Sequence, residues 1–138
     1  MADAANHKRP PGITVLSLFF VFGALMSGLA VFLLLFFPGS VLESIWQLNP
    51  QAHEGFAAMG PWAVLLMMAV CVACILAAVG LWRCARWGFW TALAILSINL
   101  AGDTTNALVT GDKRALIGLP IGGLMIWYLL RKKRLFGA

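Results

Sequence analysis

Residues 13 to 37, ITVLSLFFVFGALMSGLAVFLLLFF, run for 25 positions without one ionisable side chain. At about 1.5 Å of rise per residue, a helix of that length exceeds the ~30 Å hydrocarbon core of a bilayer. A soluble domain could not cover such a run, because 62% of the 138 residues are hydrophobic, only 11% are charged and the mean hydropathy is +0.90. Within hydrocarbon every backbone N–H and C=O must be satisfied by the chain itself, which leaves helices or closed barrels. Long uninterrupted apolar runs point to helices. Three more follow, at about 61–82, 87–109 and 115–130. The expected fold is an all-α membrane protein, a four-transmembrane-helix bundle over 13–130. It is flanked by a cytoplasmic tail, 1–12, and a basic cytoplasmic tail, 131–138.

The first run is not read as a cleaved secretory leader. Leaders carry an apolar core of about 7–15 residues and a small-residue cleavage site, whereas this one is longer and ends in FFPGS. Pro38 and Gly39 stop it. Ser40 and Glu43 then have capping-box spacing, and Val41, Leu42, Ile45, Trp46 and Leu48 fall on one side of the following helix. That predicts a short interfacial helix between the first two spans. Asn49 and Pro50 break it, and QAHEGFAAM offers a second short helical segment before Gly60 and Pro61.

Charge sets the orientation. Lys8, Arg9, Arg83, Arg86, Arg131, Lys132, Lys133 and Arg134 fall on one side of the predicted map, against Lys113 and Arg114 on the other. Basic residues accumulate on the cytoplasmic side, so both termini are expected in the cytoplasm of a cell inner membrane. Trp46 and Trp62 then mark the outer interface, while Trp82, Trp87, Trp90, Trp127 and Tyr128 mark the inner one. The net charge of +5 is explained by this placement. Nucleic acid is not an expected partner; the lipid bilayer is, and Arg131 to Arg134 suit an anionic inner leaflet.

Small residues recur four apart: Ala69, Ala73 and Ala77 in the second span, Gly23 and Ser27 in the first, Gly118 and Gly122 in the fourth. Such faces allow close helix approach. They serve either the intramolecular bundle or a protein partner, including a second copy of the chain.

Cys71 and Cys74 form a C-x-x-C near the middle of an apolar span. Catalytic thiols need a basic neighbour or helix N-terminus to stabilise the thiolate, and none is near in sequence. The pair is therefore read as small buried apolar residues, with a thiol redox protein as the third functional option. Intramembrane haem is excluded by the histidines, since His7 lies in the tail and His53 in the connection. His53 beside Glu54 is read as a solvated pair. No metal and no cofactor is expected.

Asp103 is the residue with most to explain. Asn99, Asp103, Asn106 and Thr110 recur at i, i+4, i+7 and i+11, one face of a helix running to 110. An acid in the bilayer costs about 2.5–3.5 kcal/mol by insertion scales and should face the bundle with a partner. The expected partner is Arg114, snorkelling from the mouth of the fourth span. In the competing reading the span ends at Gly102, and Asp103 caps a separate interfacial helix, DTTNALV. Both readings stay open on sequence alone.

The stretch GLWRCARWGFW, together with IGLPIGGLMIWYLLRKKRLFG, resembles a widespread group of small bacterial four-span inner-membrane proteins. The resemblance covers the last half of the chain. It implies the four-span topology, and because the group has no established activity it implies no site. Small multidrug exporters fit poorly because they rely on an acid in the first span, and dual-topology fluoride channels are at odds with the charge bias. The sequence therefore reads as a small multi-pass membrane protein without a catalytic role, an accessory or structural subunit. Its alternative is a small transporter or ion-pathway protein using the polar cluster Asn99, Asp103, Asn106 and Arg114.

Overall fold

The computed structural model describes residues 9–37, 39, 41–48, 50–111 and 113–137. Ser40, His7, Lys8 and the side chains of Val41, Leu42, Ile45 and Leu48 lie outside this description, and with them the proposed capping box and most of the interfacial face. The chain is all-helical over the described residues. Its helices are α1 (Pro11–Phe36), α2 (Val41–Leu48), α3 (Pro50–Met59), α4 (Pro61–Trp82), α5 (Arg86–Thr110) and α6 (Ala115–Arg131), followed by a 3-10 turn, Lys133–Phe136.

Three helices, α1, α4 and α5, are long and apolar enough to cross a membrane. With 17 residues α6 is shorter, about 25 Å at the α-helical rise. The first helix begins two residues before the expected span because Pro11 opens it, a position where the missing N–H costs nothing. Two short helices, α2 and the second segment expected at QAHEGFAAM, occupy the connection between α1 and α4.

The chain divides into two compact units, one of residues up to Phe20 with those from Leu76 onward, the other of Val21–Ile75. In the first, Ile13, Leu16, Phe20, Leu81, Phe89, Ala92, Leu96 and Leu129 form the buried core. Ser17 is 1% exposed, and its hydroxyl donates to the Ala78 carbonyl at 2.9 Å. Gly80 and Gly88 bring α4 and α5 together backbone to backbone, since a Cβ on either would run into the main chain of the other. The phenol of Tyr128 lies over Gly12 in the same way, joining α6 to the start of α1.

The turn between α4 and α5 has a backbone cause. Ala85 N–H bonds to the Gly80 carbonyl at 2.8 Å and Cys84 N–H to Leu81 at 3.1 Å, the paired bonds of a Schellman ending. That motif requires a left-handed residue at its C′ position, here Cys84 at φ 51°. Glycine would fit there without the Cβ penalty.

The basic C-terminal segment is folded where a tail was expected. Phe136 is 3% exposed and packs on Phe89 with ring centroids 5.4 Å apart. The 3-10 turn thus returns the chain onto α5 and α6. In the second unit, Trp46 of α2 stacks on His53 at 5.3 Å and meets Phe56 at 5.2 Å, which pins α2 to α3.

These contacts separate glycines that touch from those that do not. Gly88→Ala should destabilise the protein by about 1–3 kcal/mol through overpacking. Gly102→Ala, where a Cβ meets nothing within 4 Å, should stabilise it by roughly 0.5–1 kcal/mol. Cys84→Gly should gain about 1 kcal/mol. Thermal unfolding of the purified variants in detergent checks all three.

Candidate functional site

α5 is continuous from Arg86 to Thr110 and passes through Gly102 without a break. It ends at Gly111, left-handed at φ 66°, whose N–H bonds to the Ala107 carbonyl at 3.1 Å. The reading in which the helix breaks at Gly102 is therefore corrected. Asp103 lies deep in the helix, where backbone N–H groups are already bonded, so there is no separate DTTNALV helix for it to cap.

The helix aims Asp103 at α6. Its Oδ2 lies 2.6 Å from where a Cβ on Gly118 would stand, and one turn on, Leu100 lies 3.2 Å from the corresponding point on Gly122. The small face of α6 is thus used inside the chain. Gly118 is a glycine because the carboxylate occupies the space of its side chain. Asp103 is half-buried there, and Asn99, Asp103, Gly118 and Gly122, closed by Phe19, Leu96, Leu100, Ile121 and Met125, line a cleft of about 250 Å³.

The polar face predicted from the sequence divides in two. Asn99 and Asp103 line the cleft, whereas Asn106 does not. Asn106 Oδ1 accepts from the Thr110 hydroxyl at 3.4 Å, and that hydroxyl also donates to the Asn106 carbonyl at 2.6 Å. Thr104 and Thr105 donate to the carbonyls of Leu100 and Ala101 at 2.7 and 2.8 Å. These hydroxyls are satisfied by their own helix, as serine and threonine are in apolar surroundings. Arg114 stands at the N-cap of α6, one turn before Gly118 on the same face.

The cysteines have a packing role in the second unit. Cys74 Sγ lies 3.5 Å from the Cβ position of Gly23, and Cys71 Sγ the same distance from that of Gly28. Cys71 also donates to the Ala24 carbonyl at 3.4 Å. The C-x-x-C spacing places both sulfurs on one helix face against two glycines, and all three cysteines are free thiols. Among the described residues no three His, Cys, Asp or Glu side chains converge. His53 and Glu54 are both exposed, as a solvated pair would be, and His53 also has an aromatic partner in Trp46.

One feature escapes sequence reasoning. A second cleft, of about 480 Å³ and wholly apolar, runs between α1 and α6. It is lined by Gly12, Val15, Leu16, Phe19, Ile121, Leu124, Met125 and Tyr128, and it shares Phe19, Ile121 and Met125 with the polar cleft. Both helices are apolar on every side, so no periodicity marks the groove. Only the pairing of Gly12 with Tyr128 hints at it.

No family model, curated protein or solved structure matches the chain.

Because Gly118 makes room for Asp103, Gly118→Ala should displace the carboxylate and cost about 1–3 kcal/mol. Gly123→Ala, inside the same helix with open space at its Cβ, should instead stabilise the protein by roughly 0.5–1 kcal/mol. Thermal unfolding of the two variants side by side measures the difference.

Proposed function

We propose that this chain is a four-span inner-membrane protein with both termini cytoplasmic and no catalytic role, and that it works as a small transporter or ion-pathway protein at Asp103. The observation that carries this reading is the carboxylate itself, held against Gly118 in a cleft that Asn99 also lines. With α6 as the fourth span and α5 centred in the bilayer, Asp103 sits roughly 7 Å outward of the midplane. An acid at that depth needs a counter-charge. Arg114 serves as the resident one, reaching down from the N-terminus of α6, which also accounts for its position on the less basic side.

Two outcomes test this. Proteoliposomes containing the protein should show proton- or cation-coupled flux that Asp103→Asn abolishes; flux unchanged by that substitution contradicts the reading. For the pairing, a double-mutant cycle with Asp103→Asn and Arg114→Gln should return a coupling of about 1–3 kcal/mol, whereas strictly additive losses would sink it.

A second reading keeps the chain as an accessory subunit of a larger membrane assembly. It is favoured by the alanine face of α4, where Ala77 is fully buried but Ala69, two turns away, is exposed. A partner helix would complete that face. Recovery of the chain in a stable complex after mild solubilisation, lost in Ala69→Leu, distinguishes this reading from the first. The resemblance to small bacterial four-span proteins is compatible with both.

A further inference from the structure

The polar and apolar clefts adjoin. Phe19, Ile121 and Met125 border both, so the two lie one after the other along α6, from Gly118 to Tyr128. From Gly118 to Tyr128 is ten residues of helix, about 15 Å, close to the reach of an extended chain of roughly ten to twelve carbons. At the α5 end the lining offers a carboxylate and an amide and no basic side chain. Along the rest it offers only carbon and the flank of an aromatic ring. A volume of several hundred Å³ with few polar groups at one end is the form of a small-molecule site.

We infer that this composite site binds elongated amphipathic organic cations, the ammonium head at Asp103 and Asn99 and the alkyl tail in the groove between α1 and α6. The inference rests on the pathway reading of Asp103 and names its substrate class. A hydrated metal ion or ammonium would use the carboxylate but leave the groove without purpose. A neutral lipid chain would fill the groove but gain nothing from the carboxylate. Only a molecule with both parts is complementary along the whole site. Charge complementarity is strongest where water is excluded, and the incoming head replaces Arg114 as the counter-charge of Asp103. Asn99 supplies a second polar contact whose side-chain oxygen accepts from an N–H head.

The test uses the full-length protein in nanodiscs of zwitterionic lipid, with tritium-labelled dodecylammonium at concentrations well below micelle formation. Saturable binding is expected, weakened about tenfold or more by Asp103→Asn, partly retained in Asp103→Glu and reduced several-fold by Val15→Trp, which fills the groove from an exposed position. All variants are first shown to be folded and monodisperse at the assay temperature. Methylammonium and dodecanol, each lacking one half of the pattern, should compete at least about tenfold less well. Competition by dodecanol equal to that of the amine would make the groove a plain lipid contact and overturn the proposal. Competition by methylammonium equal to dodecylammonium would reduce it to a carboxylate site. Absence of saturable binding, while Asp103-dependent proton flux persists, overturns the substrate class and leaves the pathway reading intact. Absence of both removes the two together.

Discussion

Polar groups in hydrocarbon must find their partners within the protein, and most hydroxyls along the long helices are placed to meet that demand. Ser17 donates to Ala78, Ser27 to Gly23 and Ala24, Cys71 to Ala24, and Thr91, Thr104, Thr105 and Thr110 to carbonyls one turn back. Among the described residues no buried side-chain nitrogen or oxygen lacks a partner. A hydroxyl or thiol can donate its hydrogen bond to a carbonyl of its own or a neighbouring helix at almost no cost. A carboxylate cannot, because it accepts and backbone carbonyls do not donate. Asp103 is for that reason the residue whose presence in α5 requires an explanation outside the helix.

Close approach supplies the setting. Helices without large interlocking side chains pack through small residues, and the glycines do this in matched places: Gly80 on Gly88, Gly12 under Tyr128, Gly118 under Asp103. In the second unit Gly23 and Gly28 receive the two sulfurs of the C-x-x-C. A motif associated with redox chemistry thus becomes intelligible as steric complementarity. The same principle explains why α6 has a polar neighbour at Gly118 and an apolar one at Gly122. It also binds the C-terminal turn to its mechanism, since Phe136 inserted on Phe89 fixes Lys133 and Arg134 beside the ends of α5 and α6, while Arg131 lies over its own helix's Trp127 at 5.2 Å.

Much of this architecture was legible in the residues. The apolar runs located α1, α4 and α5, and Pro and Gly marked the breaks, because those signals depend only on local backbone chemistry. The polar face of α5 was visible as a periodicity, yet its division into Asn99 with Asp103 and Asn106 with Thr110 was not, since α6 decides it. Gly102 was ambiguous: glycine both ends helices and occupies their interiors, and the unbroken helix on both sides of it shows it doing the latter. The folded C-terminal turn was hidden by its own composition. A run of Arg and Lys reads as a solvated tail unless the following Phe has somewhere to go, and that place, Phe89, lies 47 positions earlier. The apolar groove left no trace because helices that are hydrophobic all round carry no directional pattern.

The central claim is that α5 carries Asp103 into the bilayer as part of a single continuous helix. Depth measurement by electron paramagnetic resonance tests it most directly, with nitroxides placed singly at Ile98, Gly102 and Val109 after Cys71 and Cys74 are changed to Ala and Cys84 to Gly. In reconstituted membranes the labels at Ile98 and Gly102 should relax more with oxygen than with a water-soluble nickel chelate, and the label at Val109 should lie nearer the aqueous interface. Preferential relaxation of the Gly102 label by the nickel chelate would place Asp103 at the interface and contradict the account.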